Sequence, residues 1–146
     1  MESLPPAAPL GYWPSVQTVY HDRCAGAGTV VQVAAVRGPL SVELLRAAAR
    51  QEQGRQPLLR ARLRTERRRL WAELVEPAPN PQVLVEETTA AELPWPALAA
   101  REVARGFLEP SAPPWRVLLR SLGPDEHELI VAMHHGLGDA RATVSL

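Results

Sequence analysis

The chain has no lysine: its 16 basic side chains are all arginines, set against 16 acids for a formal charge of zero. That excludes a lysine Schiff base and a phosphate-loop lysine. It also leaves no global basic field to gather nucleic acid or an anionic membrane. A single cysteine, Cys24, rules out an internal disulfide, so a reducing compartment, by default the cytoplasm, is the expected location. No window approaches the roughly 18 uninterrupted apolar residues of a membrane span. The start, Met1 to Pro6, lacks the basic and apolar regions of a signal peptide.

What is present is ordinary globular content, 46% hydrophobic and 22% charged over 146 residues, with 15 prolines that punctuate the chain. Prolines cluster at 5–14, 77–81, 94–96 and 110–114, and the periods alternate between these breaks. The β-branched run Thr29 to Val36 predicts a strand. A helix follows over Val42 to Gln53, with Ser41 as N-cap and Gly54 as its stop. Leu59 to Arg64 and Arg69 to Val75 alternate and predict a hairpin turning at Thr65 to Arg68. Val83 to Val85 predicts a short strand, and Ala97 to Phe107 a helix that Pro96 can begin. Trp115 to Ser121 and His127 to Met133 predict two strands joined by Gly123-Pro124-Asp125-Glu126, and Ala140 to Leu146 starts a last helix. The order β, α, β, β, β, α, β, β, α argues an α/β domain (an α+β two-layer sandwich) with helices on a mixed sheet.

Chemistry concentrates at Met133-His134-His135-Gly136-Leu137-Gly138-Asp139-Ala140, where the last strand runs out into a glycine-bearing loop. If the strand continues through His135, the two imidazoles point to opposite faces, which weighs against one metal ion held by His134, His135 and Asp139. A neutral imidazole here can instead remove a proton from a hydroxyl or an amine, because its ordinary pKa of about 6.5 lies near working pH. Gly136 and Gly138 would let the backbone turn sharply. The plainer reading is a core histidine beside a solvent histidine, with Asp139 capping the last helix.

His134-His135-Gly136-Leu137-Gly138-Asp139 resembles the HHxxxD motif of the condensation-domain superfamily. That superfamily includes nonribosomal peptide condensation domains, polyketide-associated O-acyltransferases and chloramphenicol acetyltransferase. Gly38-Pro39-Leu40 through Gln56-Pro57-Leu58-Leu59-Arg60 is similar to the family's strand, helix and HP-x-LR segment. Phe107 to Leu119 resembles its approach to the motif strand, so the likeness runs over residues 12–146 in order. It implies a chloramphenicol acetyltransferase-like half domain in which His135 is catalytic, as base or positioning residue. His134 and Gly138 would shape the loop, and Asp139 would pair with an arginine usually found later in the chain, for which Arg23 and Arg141 are the local candidates. The implied substrate is an acyl thioester of coenzyme A or of a carrier protein's phosphopantetheine, with no metal and no permanently bound cofactor.

Two departures stand out. Ala140 occupies a position where the family commonly has glycine. The family's paired lobes total roughly 400 or more residues, a two-domain size, so 1–146 reads as the N-terminal lobe alone, with 1–14 a proline-rich start and the second lobe absent. A partner subunit could complete the site, and the rival reading is a non-catalytic module that docks a carrier protein or a subunit.

Four further features have plainer readings. The arginines 60, 62, 64 and 67–69 predict a solvated sheet edge, with docking of an acidic carrier protein as the functional alternative. Cys24 predicts a buried small side chain. Tyr12-Trp13 and Trp95 predict packing anchors or interface aromatics, and His21 is placed by the resemblance on a first strand bordering the channel.

Overall fold

The computed structural model describes residues 7–24, 27–67, 69–107 and 113–138. Its elements in chain order are β1 (Ala7–Pro9), α1 (Tyr12–Arg23), β2 (Thr29–Arg37), α2 (Val42–Arg55), a 3-10 turn (Pro57–Arg60), β3 (Ala61–Glu66), β4 (Arg69–Leu74), β5 (Gln82–Val85), α3 (Trp95–Arg105), β6 (Trp115–Gly123) and β7 (Glu126–His134). The expected α/β class and mixed sheet are found. The main sheet has the order β2-β7-β6-β5; β5 and β6 are parallel and the other pairs antiparallel. A parallel pair needs a crossover, which α3 provides. A second sheet, β1-β4-β3, leaves β3 at an edge.

Alternation along the central strands divides the core. Val117, Leu119, Leu129, Val131 and Met133 face Leu45 and Ala49 of α2, while Leu118 and Ile130 face Leu98 of α3. Leu98 and Ile130 are fully buried, each stabilising the fold by roughly 1.5–3 kcal/mol through lost apolar surface. Charged residues tie the same layers together. Arg116 of β6 bonds through Nε to the Glu102 carboxylate (2.5 Å) and through its other nitrogens to the carbonyls of Gly106 (2.7 Å) and Glu102 (2.8 Å). Arg120 bonds the Glu128 carboxylate and the Leu93 carbonyl.

Several boundaries depart from the pattern reading, each for a local reason. The Ser41 hydroxyl does cap α2, accepting the Leu44 N–H at 3.1 Å. Gly54, however, lies inside that helix, and Pro57 ends it by forcing Gln56 into extended backbone (φ −119°, ψ 92°). α3 starts at Trp95 with a proline in its first turn, where an imino nitrogen costs no hydrogen bond. The hairpin turn is tighter than expected: Glu66 pairs with Arg69, and Arg67 takes a left-handed φ of 48°. Leu59 belongs to the 3-10 turn, and its carbonyl accepts the Trp115 indole N–H at 2.9 Å.

The helix α1 was not expected at all. Its sequence carries Pro14 in the first turn and no capping side chain at Gly11, so it reads as a proline-rich break. His21 is therefore on a helix and fully buried, not on a strand. The expected helix over 140–146 lies outside the described residues.

Candidate functional site

The site is the exit of β7. The strand stops at His134, one residue short of the conditional extension through His135. The His134 N–H donates to the Pro114 carbonyl (2.9 Å), and the His135 N–H donates to the Gly28 carbonyl (3.1 Å). The Leu137 N–H returns to the His134 carbonyl at 3.0 Å, closing a turn with His135 and Gly136 at its corners. Gly136 has no left-handed φ, so its glycine is needed for space and not, as expected, for backbone freedom. A β-carbon there would fall 2.7 Å from the Thr18 hydroxyl and 3.0 Å from the His134 ring.

The two motif imidazoles have different environments. His134 is 2% exposed, and its Nδ1 accepts the Gly136 N–H at 2.9 Å. Burial, reinforced by the neighbouring His21, pushes its pKa down to about 4, so it is neutral with its proton on Nε2. His135 is half-buried, and its Nδ1 lies 3.0 Å from the Gly138 carbonyl. A carbonyl can only accept, so Nδ1 carries a proton, and in the neutral ring Nε2 is the nitrogen that keeps the basic lone pair. His135 lines a cleft of about 470 Å³ with Leu10, Trp13, Leu58 and Leu137. A mostly apolar cleft bordered by an imidazole is suited to holding an uncharged group beside a titratable side chain.

No family model matches the chain. It is 33% identical over 104 residues to cyclosporin synthetase simA of Tolypocladium inflatum, a match that covers 71% of this chain and 1% of that protein. Its fold matches a variant of the starter condensation domain of rhizomide synthetase RzmA, with TM-score 0.78 and 16% identity over 95% of this chain and 35% of that one. The chain has the fold of a condensation-domain half. It also matches the X-domain from teicoplanin biosynthesis, solved in complex with OxyB, with TM-score 0.65 and 25% identity over 92% of this chain and 29% of that one. The chain thus spans about a third of the solved condensation domains it matches.

Of the residues that resemble the condensation-domain motif, the structure brings His134, His135 and Gly138 together at one turn. Asp139, Ala140 and Arg141 lie outside the described residues. Among the described residues, no three His, Cys, Asp or Glu side chains gather as for a metal ion, and no helix is long and apolar enough to cross a membrane.

Leu10, Thr18, Gly28 and Leu58 also shape the site, yet no pattern in the sequence marks them. Cys24, expected to be buried, is exposed. Tyr12, Trp13 and Trp95 are exposed as well, so none is a packing anchor. Three arginines of the cluster are paired: Arg62 and Arg64 with Glu73, Arg64 also with Glu66, and Arg60 with Glu76.

Proposed function

We propose that this lobe supplies the catalytic histidine of a condensation-type acyl transfer. The donor is an acyl thioester of coenzyme A or of a carrier protein's phosphopantetheine arm, and the acceptor is a hydroxyl or an amine. The supporting observation is the His135 tautomer: Nδ1–H held by the Gly138 carbonyl, in a side chain that lines the apolar cleft. In this reading Nε2 takes the acceptor's proton as the acceptor attacks the thioester carbonyl carbon. The carbon–sulfur bond then breaks, and the departing thiolate takes that proton back from Nε2. His134, neutral and buried, and Gly138, through its carbonyl, support the turn. Asp139 is read, by the resemblance alone, as a structural partner for an arginine. No metal or resident cofactor takes part in these steps.

The test is His135→Ala in the protein as isolated from its own host, whose intact mass also reports whether a second lobe follows. Turnover of a thioester substrate should fall by about 10²-fold or more, the usual weight of a general base, with the melting temperature unchanged. Near-normal transfer by the variant would overturn the assignment.

A second reading, a docking lobe for a carrier protein or subunit, is favoured by the likeness to an X-domain solved with OxyB. It predicts that the wild-type protein binds such a partner and transfers no acyl group, with or without His135.

A further inference from the structure

The helix α1 grips the turn on both sides of His135. On one side, the Thr18 hydroxyl, tied to the Pro14 carbonyl at 2.8 Å, leaves Gly136 no room for a side chain. On the other, the His21 ring packs against the His134 ring with centroids 4.4 Å apart. His134 in turn accepts the Gly136 N–H, so the residues flanking His135 are both fixed from α1.

His21 is an expensive choice for a position with no exposure, because a buried polar ring is tolerated only when its nitrogens are engaged. Both are. Its Nε2 accepts the Phe107 N–H at 3.0 Å, and its Nδ1 faces the Asp22 carboxylate at 3.2 Å. One tautomer satisfies both contacts, Nδ1–H toward the carboxylate and Nε2 toward the amide. Phe107 is itself held, its ring beneath the Arg116 guanidinium at 4.4 Å. His21 thereby joins three separate segments: α1, the chain leaving α3, and the turn that carries His135.

We infer that His21 is a positioning residue that, through His134 and Gly136, holds His135 with its Nδ1 proton on the Gly138 carbonyl and its Nε2 free at the cleft. The consequence for turnover rests on the acyl-transfer reading above; the consequence for the His135 tautomer does not.

The experiment compares wild type, H21Q and H21F by nitrogen NMR of the imidazoles and by steady-state kinetics of thioester turnover. Glutamine places an amide oxygen where Nε2 stood and can still accept the Phe107 N–H, whereas phenylalanine fills the space without an acceptor. In wild type and H21Q, His135 should be the Nδ1–H tautomer. In H21F it should sample both tautomers, and kcat should fall by about 10–100-fold with KM little changed, as expected for a misplaced reacting group.

A folded H21F protein with the wild-type tautomer, or H21Q behaving no better than H21F, overturns the inference. If H21F does not fold, H21N, whose amide is too short to reach Phe107, replaces it in the same comparison. A tautomer change with undiminished turnover supports the positioning and overturns instead the catalytic assignment of His135.

Discussion

Gly136 abuts Thr18 across the gap between the β7 turn and α1, so closely that a β-carbon at this position would lie 2.7 Å from the Thr18 hydroxyl oxygen. The same β-carbon meets the His134 ring at 3.0 Å, so the neighbours on two sides must give way together. Gly136→Ala should therefore destabilise the fold by about 1–3 kcal/mol, the usual cost of overpacking. Thr18→Ala in the same chain should return part of it. Chemical denaturation of the two single variants and the double variant gives the coupling, and simple additivity would refute the contact.

His134 supplies a pH dependence of stability. Its pKa is pushed down to about 4 from an ordinary 6.5, first by burial and then by His21, with His135 adding slightly and Asp22 opposing. The unfolded chain therefore binds a proton that the folded chain refuses. Stability is complete above about pH 6.5 and is lost as pH falls toward 4, by up to about 3 kcal/mol. His134→Asn offers the Gly136 N–H an oxygen near the position of Nδ1 and does not titrate, so its melting temperature should fall less over that range.

Arg116 and Glu102 form an ion pair with both residues at most 2% exposed. Removing one partner strands the other's charge in the core, and Glu102→Ala should cost about 3–5 kcal/mol. Replacing both, as in Arg116→Met with Glu102→Leu, should cost distinctly less, because no charge is then left unpaired. Urea denaturation of the three proteins measures the difference; equal losses would show that packing and not charge dominates.

Cys24 is exposed at the end of α1, beside Tyr20 in a shallow apolar groove. A thiol reagent should modify it in the native protein without prior unfolding, at a rate that added denaturant raises little. Cys24→Ser should shift stability by less than about 0.5 kcal/mol, as surface substitutions usually do.

Much of the main sheet was legible because its signal is local. The alternation that buries Met133 on one face and Ile130 on the other is written into neighbouring residues, as are the Ser41 cap and the strand over 29–37. Of the site, the pair His134-His135 and its flanking glycines could be found from the chain alone. The helix α1 could not. Its buried residues are the polar Thr18 and His21, whereas Tyr12, Val19 and Tyr20 face outward, so its apolar pattern does not mark the side that packs.

The sequence by itself determined which residue types stand at the end of β7, and its resemblance to condensation domains was enough to name the fold. Only the tertiary structure decided what each imidazole is. His134 is neutral because burial penalises its charge, and His135 is an Nδ1–H tautomer because the Gly138 carbonyl has come within 3.0 Å. The physical reason is that protonation and tautomer follow from burial and from partners. Those partners, Thr18 and His21 on α1 and Gly28 before β2, are distant in the chain and meet the motif only in the folded protein.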